Sequence, residues 1–215
     1  MKVVFLGPPG AGKGSQAAQV AEKLGVKHAS TGDIFRKAVS AGNDLAKEVK
    51  DYLDSGRLVP DELTCRVVEH EVLDNEADYI LDGFPRTVVQ AQMLDKALEL
   101  RGDELDLVVY YALDDKEAAS RLAGRLVCRS CGRNFHVKNM PPQTEGVCDS
   151  CGGELYARSD SQPEAVERRL AEYHGKTEPL VAYYNSNGLL REIDASQPLE
   201  DVFEETIRLL EALRE

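Results

Sequence analysis

The sequence predicts a doubly wound α/β fold on a five-stranded parallel sheet, and three observations predict it. Five short apolar, β-branched runs recur along the 215 residues, stretches of helical period separate them, and the first run ends in a glycine-rich turn that opens a helix. Strands alternating with helices need parallel crossovers, and near-continuous apolar strands suit a sheet covered on both faces.

In chain order, a strand is expected at residues 3–6, a helix at 13–24 and a weaker strand at 26–29. Residues 30–59 leave the alternation and read as a helical insertion of two short helices, 33–40 and 44–53, bounded by Ser30-Thr31-Gly32 and Ser55-Gly56. The alternation resumes with a helix at 61–73, a strand at 79–81, a helix at 88–100, a strand at 107–111 and a helix at 115–125. From 127 to 157 helical period gives way to Gly, Pro-Pro and paired cysteines, the makings of a small metal-stapled subdomain. A helix at 163–174 comes next, with Ser161-Gln162-Pro163-Glu164 reading as its cap and capping box. A strand at 189–193 and a helix at 199–213 complete the chain.

With 42% hydrophobic residues the chain can bury a core. No apolar run approaches the roughly 20 residues that cross a bilayer, and the longest, 105–113, is broken by Asp106. The start runs from Met1 straight into the first strand without a small-residue cleavage site, so a cytoplasmic protein is expected. Against 26 Lys and Arg stand 38 Asp and Glu, and the net charge of −12 disfavours nucleic acid and anionic membranes as partners. Any phosphate site must therefore be local. Residues 192–215 carry −6 and residues 121–160 carry +2.

Gly7-Pro8-Pro9-Gly10-Ala11-Gly12-Lys13-Gly14-Ser15 joins the first strand to the first helix. Glycines let backbone N–H groups approach a phosphate, the helix N-terminus adds partial positive charge, and Lys13 supplies a full one. The usual pattern puts the hydroxyl residue directly after the lysine; here Gly14 intervenes before Ser15. Tyr79-Ile80-Leu81-Asp82 sets a carboxylate at the carboxyl end of a strand, where α/β ligands bind and where an acid can hold Mg²⁺. Phe84-Pro85-Arg86 then brings a guanidinium to the same crevice.

Cys128-x2-Cys131 and Cys148-x2-Cys151 lie sixteen residues apart, each pair followed by glycine. Such knuckles give tetrahedral thiolate coordination, so a structural metal is expected, Zn²⁺ or iron, with no open position for catalysis. His136 is a spare nitrogen where four sulfurs already suffice, and Cys65 reads as a buried small hydrophobe in a helix. Arg121 and Arg125, four apart, are expected on one helix face. Arg125, Arg158 and Arg169 suit the negative charge that phosphoryl transfer spreads, whereas Arg168 reads as a solvated charge.

Gly12-Lys13-Gly14-Ser15, Ser30-Thr31-Gly32-Asp33, Gly56-Arg57-Leu58-Val59-Pro60-Asp61, Leu81-Asp82-Gly83-Phe84-Pro85-Arg86-Thr87 and Arg158-Ser159-Asp160, in that order, resemble the adenylate kinase family. The likeness runs end to end, the Asp-Gly-Phe-Pro-Arg segment is its most specific part, and the cysteine insert looks like the long-lid, zinc-containing bacterial form. The resemblance implies a P-loop NTPase-like core (1–29, 60–121 and 160–215), an NMP-binding insertion (30–59) and a zinc-binding lid over ATP (122–159). It implies the reaction MgATP + AMP ⇌ 2 ADP, with ATP and AMP as substrates.

By the same likeness, Gly10, Ala11, Gly12, Lys13, Gly14, Ser15, Arg121, Arg125, Asn134, Phe135 and Gln197 match ATP contacts. Thr31, Arg36, Arg57, Gly83, Arg86 and Gln90 match AMP contacts, the backbone at Leu58 and Val59 lines the adenine pocket, and Arg158 and Arg169 share that site. Lys13, Asp82, Arg86, Arg125, Arg158 and Arg169 form the implied catalytic set, and Cys128, Cys131, Cys148 and Cys151 the Zn²⁺ set. A monomer is expected because a closing lid needs free surface. Family members often carry a second aspartate at the lid hinge where this chain has Ser161. The rival readings are a UMP or CMP kinase, a zinc-ribbon binding module on an inactive scaffold, and a simple ATPase.

Overall fold

The computed structural model describes residues 1–42, 44–73 and 77–214. Strand β1 (Lys2–Leu6), helix α1 (Lys13–Leu24) and strand β2 (Lys27–Ser30) open the chain. Helices α2 (Thr31–Ala41) and α3 (Asp44–Ser55) form the helical insertion, and α4 (Asp61–Val68) continues as a π turn, Glu69–Leu73. Next come β3 (Tyr79–Asp82), α5 (Val88–Glu99), β4 (Leu107–Ala112) and α6 (Asp115–Ala123). Three short strands succeed them, β5 (Arg125–Cys128), β6 (Asn134–His136) and β7 (Leu155–Ala157). Helix α7 (Pro163–Glu172) leads into a second π turn (Tyr173–Thr177), then α8 (Pro179–Ser186), β8 (Leu190–Asp194) and α9 (Leu199–Glu211).

The main sheet has the order β2-β3-β1-β4-β8, and every pairing in it is parallel. Alternation along β1 feeds two cores: Val4 and Leu6 pack with residues of α4, α5 and α8, while Val3 and Phe5 pack with residues of α1 and α9. Both faces of the sheet are thus covered, as the apolar strands require. In register, Asp82 lies opposite Phe5 on one side and Ser30 on the other. The β1–α1 loop, the start of α2 and the end of β3 therefore meet at one level, beyond the carboxyl ends of the strands. Among the described residues no helix is long and apolar enough to cross a membrane.

Three local expectations need correction. The helix expected through residue 125 ends at Ala123, with Gly124 as its cap; Arg125 begins β5 and shares no helix face with Arg121. Glycine ends the helix, and Leu126-Val127 pair with strands on both sides. Ser161 does not cap α7: Gln162 holds the cap position without a side-chain bond, and Ser161 Oγ instead accepts from Arg125 Nη2 at 3.1 Å. A buried guanidinium competes for that oxygen better than an exposed N–H that water can serve. Helix α8 has no counterpart among the expected elements, because its period merges with that of the preceding π turn.

Candidate active site

The β1–α1 loop is shaped for an anion. Gly10 has φ +94, and a Cβ there would stand 2.7 Å from Ala118 O, so only glycine fits. The first turn of α1 has no side-chain cap and no acidic residue, which leaves its positive end open to a ligand, although the Ser15 N–H turns back to Gly12 O at 3.0 Å. Lys13 Nζ donates to Gly7 O at 2.7 Å and Pro8 O at 2.8 Å. Burial pushes its pKa down to about 8, Asp82 opposing and Arg86 and Arg169 reinforcing. At Gly14 a Cβ would lie 3.1 Å from Asp82 Oδ2, so the loop and this carboxylate are close neighbours.

Asp82 closes β3 with 13% of its side chain exposed. Burial works against its carboxylate, but His28, Lys13 and Arg86 outweigh that and hold its pKa below the ordinary carboxylate range. His28 Nε2 stands 3.6 Å from Asp82 Oδ2, beyond hydrogen-bond reach.

Past Asp82 the chain turns through a cis Phe84-Pro85 bond to Arg86. Gly83 O accepts from both Thr31 Oγ1 at 2.9 Å and Arg86 Nε at 2.7 Å. Gln90 is buried, and its amide is occupied within the protein: Oε1 accepts from Arg86 N at 2.7 Å and Nε2 donates to Asp61 Oδ1 at 2.8 Å. Arg36 pairs with Asp33 on α2. Arg57 is exposed, donates through Nε to Ser55 Oγ at 2.9 Å and lies over the Tyr52 ring. Leu58 is half-buried and Val59 packs with Phe35 and Val49 in the core of the insertion.

Asp160 is the counterion of three arginines. Its Oδ1 accepts from Arg125 Nη2 at 2.8 Å, its Oδ2 lies 2.9 Å from Arg169 Nη1, and Arg158 Nη2 pairs with the same Oδ2. Burial followed by repulsion from Arg158 and Arg169 pushes Arg125 down to about 9, while burial opposed by Asp160 pushes Arg169 down to about 10. Arg86 feels the charges of Arg36 and Arg158. One carboxylate does not neutralise so many guanidiniums, and the excess positive charge suits a polyanion. Arg168 is exposed, as expected.

Arg121 leads elsewhere: Nε donates to Glu117 Oε1 at 2.7 Å and Nη1 to Ala195 O at 2.8 Å, in the loop that also carries exposed Gln197. Asn134 is half-buried on β6. Phe135 is buried with Cys128, Cys148 and Leu155, so its ring serves the subdomain's own small core. Among the described residues no hydrogen bond or ion pair ties Arg57, Asn134, Phe135 or Gln197 to the arginine cluster.

The four cysteines converge beside an antiparallel sheet of order β6-β5-β7, Cys128 ending β5 and the other three lying outside the strands. Their sulfurs all lie within 4.8 Å of one another, with Cys128–Cys151 at 3.5 Å and Cys131–Cys148 at 3.6 Å. A tetrahedral metal at a Zn–S distance of about 2.3 Å needs sulfurs about 3.8 Å apart, which this set matches. The knuckles turn alike, Gly132 N donating to Cys128 O at 3.0 Å and Gly152 N to Cys148 O at 2.9 Å. His136 is not part of the group, and its Nδ1 accepts from the backbone at Lys138 and Asn139.

A family model for adenylate kinase matches residues 5–189. The chain belongs to the adenylate kinase family. It is 50% identical to the adenylate kinase of Salinispora tropica, over all of this chain and 98% of that one. The adenylate kinase of Streptomyces coelicolor is 48% identical over 100% of this chain and 99% of its own, and that of Lachnospira eligens 44% over 98% and 100%. As a member of the adenylate kinase family the chain is a nucleoside monophosphate kinase, a transferase that moves a phosphoryl group from ATP to AMP to give ADP. Asp160 and Asp61 are the site residues that sequence reasoning does not single out. Each stands inside a motif of the family resemblance, and nothing local distinguishes a carboxylate that collects arginines from distant segments.

Proposed function

We propose that MgATP lies along the β1–α1 loop with AMP beneath the α2–α3 insertion, so that the two phosphate chains meet at the arginine cluster. The observation that carries this reading is the convergence on one crevice of Lys13, Asp82, Arg86 and the Asp160-linked Arg125, Arg158 and Arg169. Lys13 would leave the carbonyls of Gly7 and Pro8 for the β- and γ-phosphates, while the N–H groups of Gly10 to Ser15 cradle them. Asp82 and the Ser15 hydroxyl, both hard oxygen donors, would hold Mg²⁺, which supplies charge neutralisation between phosphates. Arg86, Arg158 and Arg169 would orient the AMP phosphate and, with Arg125, bear the charge of the transferring group.

Arg121, Asn134, Gln197 and the backbone at Phe135 are assigned to ATP. Thr31, Arg36, Arg57, Gly83, Gln90 and the backbone at Leu58 and Val59 are assigned to AMP, Gln90 acting by fixing Arg86. Residues 30–59 and 122–159 would close over the substrates on a core of 1–29, 60–121 and 160–215, excluding water that would otherwise intercept the phosphoryl group. Cys128, Cys131, Cys148 and Cys151 would hold a structural Zn²⁺, the donor set being all sulfur and closed. We read the chain as a cytoplasmic monomer.

The test is a coupled ADP assay with AMP, UMP and CMP, together with binding of a mimic joining two adenosines through five phosphates. Lys13→Ala and Arg86→Ala should each collapse turnover while the core stays folded. Retained turnover in either variant, or failure of the mimic to bind, sinks the reading.

A further inference from the structure

The backbone of Arg86 is held at both ends. Its N–H donates to Gln90 Oε1 at 2.7 Å, and its C=O accepts from Thr177 Oγ1 at 2.8 Å, across 91 residues of sequence. With Nε committed to Gly83 O, only the two Nη groups of the guanidinium point onward.

Thr177 is 7% exposed and closes the π turn Tyr173–Thr177 at the end of α7, the helix of Arg169. A π turn takes in one extra residue and so rotates the downstream chain by about 100° against a continuous α-helix. That rotation belongs to the segment that turns Thr177 toward Arg86. Thr177 also stands two residues before Pro179, at the start of α8. The hydroxyl does not cap that helix: Glu178 holds the cap position of α8, without a side-chain cap bond.

We propose that Thr177 is a positioning residue for phosphoryl transfer, its hydroxyl fixing the Arg86 carbonyl and so the point from which the guanidinium reaches the AMP phosphate. This rests on the assignment of Arg86 to that phosphate. Without the hydroxyl, the Arg86–Thr87 peptide gains freedom to rotate and the carbonyl loses its donor. Because Thr177 lies just beyond the helix of Arg169, it also sets the two arginines relative to each other. A guanidinium displaced by a fraction of an ångström loses much of its value to a transition state.

The test compares Thr177→Val, which keeps the shape and removes the hydroxyl, with Thr177→Ser, which keeps the hydroxyl. Steady-state kinetics are read in both substrates, and AMP affinity is read by calorimetry without turnover. Thr177→Val should lower kcat/KM for AMP about tenfold, the scale of one lost hydrogen bond, and leave KM for ATP unchanged. Thr177→Ser should restore both AMP readouts. The inference is overturned if Thr177→Val lowers only the melting temperature, if KM rises equally for both substrates, or if Thr177→Ser is as impaired as Thr177→Val. Should Thr177→Val fail to fold, Thr177→Ala against Thr177→Ser makes the same comparison, and equal AMP affinity overturns the inference. Arg86→Ala separates the two levels. An active Arg86→Ala removes the underlying assignment, whereas an inactive one beside a silent Thr177→Val removes the Thr177 inference alone.

Discussion

Asp160 Oδ1 lies 2.8 Å from Arg125 Nη2, which ties the first residue of the cysteine subdomain's sheet to the turn where the chain leaves that subdomain for α7. Asp160→Asn removes the shared counterion of three mostly buried guanidiniums. The ligand-free protein should lose about 3–5 kcal/mol of stability, and the five-phosphate mimic should recover most of it by supplying the missing negative charge. Urea unfolding with and without the mimic decides this; equal destabilisation in both conditions would contradict the shared-counterion role. Since the folded pKa of Asp160 lies below its unfolded value, the wild-type advantage holds above the unfolded carboxylate pKa and is lost as pH falls through the folded one.

Lys13 offers a test in protons. At about 8 its ligand-free pKa leaves it half neutral near pH 8, and polyphosphate beside it raises that value. ATP binding at pH 8 should therefore take up about half a proton, measured by calorimetry in two buffers of different ionisation enthalpy. Lys13→Arg should abolish the uptake. If uptake persists in that variant, its source is another group.

For the cysteine cluster the expected stoichiometry is one zinc per chain by metal analysis. Cys131→Ser, or chelation, should lower the melting temperature by more than about 10 °C while turnover at low temperature stays near wild type. An unchanged melting profile argues against a structural metal.

His174 bridges two elements, with Nδ1 2.9 Å from Glu178 Oε2 and Nε2 2.9 Å from Asp115 Oδ2 at the start of α6. Hydrogen bonds to Glu178 and then Asp115 raise its pKa; the Tyr173 ring packs at its edge, and nearby Lys176 is paired with Glu172. A raised folded pKa gives stability that is full below the unfolded value, about 6.5, and fades as pH rises through the folded one. The melting temperatures of wild type and His174→Asn should differ most below pH 6.5 and converge in alkali. A pH-independent gap would mean that packing, not charge, is what His174 contributes.

Ser161 is buried and accepts from Arg125 at 3.1 Å. Ser161→Asp adds a second carboxylate to the arginines of Asp160 and, on the proposed closure of residues 122–159, should slow their opening while leaving the chemical step intact. Relaxation-dispersion NMR together with kcat reads this, and identical opening rates would dismiss the idea.

Period and glycine placement make the core legible: helix α1 matches its expected bounds, and all five main strands lie within a residue of theirs, because buried strands and an amphipathic helix carry local signals. Lys13, Asp82 and Arg86 are legible because a loop and a strand end fix them. The features that escape a sequence reading depend on contacts distant along the chain. Ser161 turned to Arg125 and Asp160 gathering three arginines are each decided by a partner that no local pattern reveals.

The carbonyl of Gly83 serves two masters, receiving Thr31 from the helical insertion and Arg86 from the loop after β3. Any shift of α2 is thus passed to the very oxygen that steadies the guanidinium. Substitutions in the insertion therefore reach the Arg86 side chain without touching it, and that linkage narrows the paths by which such a chain can drift.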